Sequence, residues 1–202
     1  MTKIKLCGLS RLEDIQAANR LRPDYVGFVF APKSRRYVTP PEARALKGAL
    51  DEGIQTVGVF VDAPVDQVAR LLNRGVIDVA QLHGHEEDGY IQILRQQTER
   101  PIWQAFRVAH VGDLAPAQTS AADCILLDSG AGTGKVFDWD LLQYIHRPFF
   151  LAGGLDPANV PDALRQAPPY GVDVSSGIET DGRKDQEKMA QFVAAVRKEE
   201  TL

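Results

Sequence analysis

Residues 24–61, DYVGFVFAPKSRRYVTPPEARALKGALDEGIQTVGVFV, carry a strand, a helix and a second strand in a single pass. The runs within Asp24–Phe30 and Thr56–Val61 are short, apolar and without polar alternation, as expected of strands covered on both faces of a parallel sheet. Between them Thr39 and Glu42 form a capping box, and Pro40 takes the first helical position. A strand, a helix and a parallel strand make one turn of an α/β fold.

The same unit repeats in both directions. Upstream, Lys3–Gly8 reads as a strand, and Ser10 with Glu13 makes a capping box for a helix ending near Arg20. Downstream, a helix at Val65–Asn73 follows the third strand, and Ile77–Leu82 is a strand with its helix at Glu86–Gln97. Pro101–Val108, Cys124–Asp128, Phe149–Ala152 and Val172–Ser175 complete eight strands. Helices follow them at Gly112–Ala117, Trp139–Ile145, Pro157–Gln166 and Asp185–Lys198, with Asp156 capping the third of these. From Lys3 to Val172 the strands recur about every 24 residues, the size of one strand–helix unit. An open doubly wound sheet also alternates, but eight regular units without a dinucleotide fingerprint favour closure. The expected fold is α/β, a single (β/α)8 TIM barrel over residues 1–202, near the lower size limit for that architecture.

Composition narrows the class of function. A net charge of −4 argues against nucleic acid and anionic membrane as partners, although local basic clusters can still hold one phosphate or carboxylate. The opening MTKIKLCGLS turns polar too early for a signal peptide, and no run reaches the ~18 apolar residues of a membrane helix. Cys7 and Cys124 lie far apart without metal spacing, which implies neither a disulfide framework nor a zinc site. A cytoplasmic protein, monomer or homodimer, is expected.

In such a barrel the chemistry sits at the carboxyl ends of the strands. Cys7 closes the first strand, Arg35 and Arg36 follow the second, and Asp62 ends the third. Gln81 and His83 end the fourth and Asp128 the sixth, while Gly153-Gly154 follow the seventh and Ser175-Ser176-Gly177 the eighth. Each has a structural alternative. A free cysteine packs as a small hydrophobe, but a place at a strand end before Gly8 favours chemistry. Asp128 can cap a turn, yet an acid after Ile125-Leu126-Leu127 at the active end favours function. Lys5 shares a face with Cys7, about 6.6 Å away along the strand; an ion pair with Asp173 inside the barrel is its simpler role. Arg36 suits a planar carboxylate, and a solvated basic loop explains it equally well. His83 and His85 lack a third ligand, so pocket-lining roles for Gln81 and His83 are simpler than a metal. Ser129–Lys135, SGAGTGK, fails as a Walker A motif and reads as a flexible loop over the site. Phosphate is expected instead between Ala152-Gly153-Gly154 and Ser175-Ser176-Gly177, where barrels often bind it with backbone N–H groups.

These segments resemble the phosphoribosylanthranilate isomerase family from Lys5 to about Val196. The likeness is carried by KLCGLS (5–10), SRRYV (34–38), VGVFVD (57–62), QLHG (81–84), LLDSGAGTGKVFDW (126–139), LAGGLDPANV (151–160) and GVDVSSGIE (171–179). The resemblance implies an Amadori rearrangement of N-(5-phosphoribosyl)anthranilate, a small phosphorylated substrate, in tryptophan biosynthesis, without cofactor or metal. It makes Cys7 the general base and Asp128 the general acid, and it selects Arg36 over Arg35 for the substrate carboxylate. Gly153, Gly154, Ser175, Ser176 and Gly177 would hold the phosphate, with weaker substrate-facing roles for Gln81, His83 and Asp173. Ser10 and Gln104 depart from the threonine and lysine common in the family. Two alternatives stay open: a related phosphosugar isomerase of the histidine-pathway type, which carries an aspartate where Cys7 stands, and a non-catalytic phosphate-binding barrel.

Overall fold

The first and last strands of the sheet pair with each other, and that pairing closes it. In the computed structural model, which describes residues 1–129 and 139–199, eight parallel strands run β1–β8 in chain order around a closed barrel. They are β1 (Lys3–Cys7), β2 (Tyr25–Val29), β3 (Gln55–Phe60), β4 (Val79–Leu82), β5 (Ile102–Arg107), β6 (Cys124–Asp128), β7 (Phe149–Ala152) and β8 (Gly171–Val174). Helices α1 (Leu12–Leu21), α2 (Pro40–Gly48), α3 (Val65–Asn73), α4 (Asp88–Arg95), α5 (Leu114–Thr119), α6 (Val160–Gln166) and α7 (Gln186–Glu199) connect or follow them. No helix among the described residues is long and apolar enough to cross a membrane.

Alternation along each strand divides the apolar side chains into two sets. Ile4, Leu6, Val26, Phe28, Ile125 and Leu127 face the helices in the large outer core. Val57, Val79, Trp103, Leu126 and Phe150 fill the barrel, with Trp103 and Phe150 at 4.7 Å between ring centroids. Cys7, Val29 and Val59 form a separate small group nearer the strand ends. The aromatic layer closes the barrel beneath this small group, so the strand ends form a mouth and not a channel.

The expected elements are present, with local corrections. The first helix does not use Ser10 and Glu13. Buried Asp14 caps it instead, its Oδ2 accepting the N–H groups of Ser10 and Arg11 at 3.1 Å each. The segment after β6 is a 3-10 helix, Trp139–Tyr144, and not an α-helix. Asp156 caps a turn, accepting from Ala158 and Asn159 at 2.8 and 2.9 Å, and α6 begins only at Val160. After β8, a 3-10 turn (Ser176–Ile178) leads into an unexpected hairpin, β9 (Glu179–Thr180) and β10 (Arg183–Lys184). Its turn residues Asp181 and Gly182 have φ of 50° and 77°, the two left-handed positions that an Asp-Gly pair supplies readily.

At the closing seam Lys5 stands opposite Asp173, and Lys5 Nζ donates to Asp173 Oδ2 at 2.8 Å. The lysine is 0% exposed and the aspartate 8%. Removing one member of a buried pair strands the other charge, a loss of about 3–5 kcal/mol. Lys5→Met is therefore expected to lower unfolding stability in urea by about that amount, with Lys5→Met/Asp173→Leu recovering most of it. A single variant within about 0.5 kcal/mol of wild type would show that the pair contributes little.

Candidate active site

Because the strands are parallel, their carboxyl ends meet at one rim. Cys7 ends β1 and Asp128 ends β6, three strands apart around the wall. Cys7 is 7% exposed. Burial pushes its thiol above the ordinary value; Lys5 and Lys184 pull it down, Asp173 pushes it up, and burial prevails. The surroundings of Cys7 thus favour its neutral thiol over the thiolate.

Asp128 is gripped from β4. His83 Nε2 lies 3.2 Å from Asp128 Oδ2, and Gln81 Nε2 lies 3.2 Å from His83 Nδ1. An amide nitrogen only donates, so Nδ1 accepts and the ring proton sits on Nε2, pointed at the carboxylate. Gln81, His83 and Asp128 thus form one chain that fixes the orientation of Oδ2. Gln81 is 1% exposed, and its Oε1 has no partner among the described residues. His85 does not share this site; it is highly exposed and its Nδ1 lies 3.1 Å from Asp62 Oδ2. Two histidines two residues apart thus serve different carboxylates, His83 facing Asp128 and His85 facing Asp62.

The two expected phosphate segments meet. A Cβ on Gly177 would lie 1.9 Å from the Leu155 carbonyl oxygen, so only glycine lets the turn after β8 rest on the loop after β7. A Cβ on Gly153 would come within 2.6 Å of Asp128 Oδ1, which puts that loop beside the acid. The N–H groups of Gly153, Gly154, Ser176 and Gly177 donate to no acceptor among the described residues. They are suited to an anion. Ser175 has another duty: its Oγ lies 3.2 Å from the Cys7 carbonyl oxygen and 3.3 Å from Lys184 Nζ.

Arg36 is already engaged. Its Nε donates to Glu179 Oε1 at 2.6 Å and its Nη2 to Glu179 Oε2 at 2.9 Å. Asp173 faces Lys5, with its Oδ1 unpartnered among the described residues. Glu179 and Lys184 were not foreseen, although the Asp181-Gly182 turn between them was a visible hairpin signal. The glycine loop expected over the site lies outside the described residues, Ser129 excepted. A cavity of about 750 Å³ opens between α2 and α3 beside Pro41, Arg44 and Arg70, and none of the candidate site residues lines it. Convergence of side chains, not cavity size, locates the chemistry.

Residues 4–195 match the family model described as N-(5'phosphoribosyl)anthranilate (PRA) isomerase. A relative of that name from Endomicrobium trichonymphae is 42% identical over 202 residues, covering 98% of this chain and 99% of its own. The crystal structure of phosphoribosyl anthranilate isomerase from Thermotoga maritima superposes with a TM-score of 0.89 at 33% identity, over 98% of this chain and 100% of that one. A crystal structure of phosphoribosyl anthranilate isomerase in complex with reduced 1-(o-carboxyphenylamino)-1-deoxyribulose 5-phosphate gives 0.86 at 32% identity, with 98% and 100% covered.

Surroundings that favour the neutral thiol predict slow, pH-dependent alkylation. In a Cys124→Ser background, the rate of Cys7 modification by iodoacetamide should still be climbing at the ordinary thiol pKa of about 8.5. A plateau below neutrality would mean that the cations outweigh burial.

Proposed function

The chain belongs to the N-(5'-phosphoribosyl)anthranilate isomerase family, and from that premise we propose how its own residues carry the reaction. It catalyses an Amadori rearrangement of N-(5-phosphoribosyl)anthranilate to the 1-(2-carboxyphenylamino)-1-deoxyribulose phosphate, by general acid–base catalysis.

The observation that carries the residue assignment is a carboxyl and a thiol on one rim, the carboxyl oriented by His83 at 3.2 Å. Asp128, in its protonated form, gives its proton to the ribose ring oxygen as the C1′–O bond breaks, leaving a protonated Schiff base. Cys7, as thiolate, then takes the proton from C2′, and the electron pair moves to form an enolamine. Tautomerisation follows, with C1′ gaining a proton and the 2′-hydroxyl losing one. The proton on Cys7 returns to Asp128 through solvent. Placement on one rim would let an acid and a base act on the same small substrate, which paired proton transfer requires.

Binding divides between two ends. The N–H groups of Gly153, Gly154, Ser176 and Gly177, with the hydroxyl of Ser176, take the phosphate, while Ser175 holds the turn through the Cys7 carbonyl; Arg36 takes the aryl carboxylate. Gln81 and Asp173 each keep a buried oxygen without a partner among the described residues, which supports contacts to substrate hydroxyls or amine. A thiol at β1 disfavours the paired-aspartate chemistry of the histidine-pathway isomerase. We infer one catalytic domain over residues 1–202, working in the cytoplasm, where a catalytic thiol stays reduced. The Thermotoga maritima relative is dimeric, and a monomer or homodimer is the expected state here.

Turnover of freshly made phosphoribosylanthranilate, followed by loss of its fluorescence, tests the assignment. Wild type should be active, and Cys7→Ser and Asp128→Asn should each lose about 10²–10⁴ in kcat, the usual share of one general acid or base. An inert wild type would overturn the isomerase assignment. Near-normal rates in both variants would remove the assigned acid and base.

A further inference from the structure

Glu179 ends the GVDVSSGIE segment, and nothing in the reaction above uses it. Its side chain is 4% exposed and meets three cations. Oε1 accepts from Arg36 Nε at 2.6 Å and Lys184 Nζ at 2.7 Å; Oε2 accepts from Arg36 Nη2 at 2.9 Å and Arg35 Nη2 at 2.6 Å. Burial opposes ionisation, yet the hydrogen bonds from Arg36 and Lys184 outweigh it and hold the carboxyl pKa at about 2.

The contact on Arg36 is side-on. It uses the Nε–Nη2 edge of the guanidinium and leaves Nη1 and the outer Nη2 hydrogen without an acceptor among the described residues. The stem of Arg36 is seated as well: a Cβ on Gly8 would lie 2.4 Å from Arg36 Cδ. Arg36 also lies close enough to Cys7 for the thiolate charge to stabilise its guanidinium. With Glu179 and Lys184 it lines a cavity of about 450 Å³. A free arginine spends rotamer freedom when it binds a carboxylate; a pinned one has already lost it.

We propose that Glu179 is a positioning residue for substrate selection: by gripping one edge of Arg36 it presents the other as a fixed fork for an aryl carboxylate. Lys184 completes the device. Its Nζ bridges Glu179 Oε1 and the Ser175 carbonyl oxygen, both at 2.7 Å, so the hairpin ties the carboxylate end of the site to the start of the phosphate loop. The inference rests on Arg36 receiving the substrate carboxylate.

The test compares kcat/KM for phosphoribosylanthranilate with that for N-(5-phosphoribosyl)aniline, which lacks the carboxylate. Wild type should prefer the first strongly. In Glu179→Gln that preference should fall about tenfold, because an arginine fork displaced by about an ångström loses much of its orientation. The loss should lie mainly in a raised KM. In an Arg36→Ala background Glu179→Gln should no longer change the preference, since the two act as one unit. Should Glu179→Gln fail to fold, Arg36→Lys keeps the charge but not the second edge, and it too should lose the preference. Equal losses on both substrates, or an Arg36→Lys enzyme with full preference, would overturn the inference. A wild type that turns over both substrates alike would instead overturn the assignment of Arg36, and the inference with it.

Discussion

The ion pair between Lys5 and Asp173 lies where the last strand meets the first, and the arrangement of the mouth follows from it. Side chains alternate with period two, so a slip of one residue at this seam would set Lys5 against outward-facing Val172 or Val174 and leave two charges buried apart. Such a slip is far costlier than one between apolar neighbours. With Lys5 and Asp173 in register, the next inward residues are Cys7 on β1 and Ser175 just beyond β8, and the serine hydroxyl reaches the cysteine carbonyl. One interaction thus sets the heights of the proposed base and of the phosphate loop. That is a role in specifying register, for which buried polar pairs are best attested, more than in raising stability.

Around this seam, charges are grouped so that each cation has a carboxylate. Lys5 has Asp173, while Lys184, Arg35 and Arg36 share Glu179. A chain of net charge −4 can therefore hold a cationic cluster beside its active site without leaving it exposed and unpaired. The anion sites are of different kinds. The proposed phosphate end offers backbone N–H groups, which carry only partial charge, and the proposed carboxylate end a guanidinium half engaged by Glu179. A substrate with a different anion at each end would be oriented by that contrast, because a dianionic phosphate and a planar carboxylate prefer different donors.

Much of the barrel was legible because its signals are local. The helix Val65–Asn73 and the strands Cys124–Asp128 and Phe149–Ala152 are found with the bounds that their apolar patterns suggest. Errors fall where a local pattern competes with tertiary contacts. Ser10 and Glu13 fit a capping box, but Asp14 is buried under the Arg11 side chain and captures the N–H groups of Ser10 and Arg11. The residues at 157–159 fit a helix, but Asp156 and Asn159 bond each other into a turn. The site was half legible in the same sense. Strand-end placement singled out Cys7, Asp128 and Arg36 as candidates, and only the family resemblance proposed which is base and which acid. The partners that orient them were beyond reach: Arg36 and Glu179 lie 143 residues apart, and nothing at either position announces the other.

The resting state of Cys7 has a consequence for how such a site works. The base proposed here must be deprotonated to act, yet burial outweighs the pull of Lys5 and Lys184, each of which is already paired with a carboxylate. Every unit by which the thiol pKa exceeds the ambient pH cuts the thiolate fraction about tenfold. The same rise makes each thiolate a stronger base, and Brønsted behaviour returns some of the loss as faster proton transfer. The proton it removes, next to a protonated Schiff base, is itself acidified, so a scarce but strong base is adequate. Unpaired cations would have raised the thiolate fraction and weakened the base. With Lys5 and Lys184 paired to Asp173 and Glu179, burial decides the direction in which the Cys7 thiol shifts.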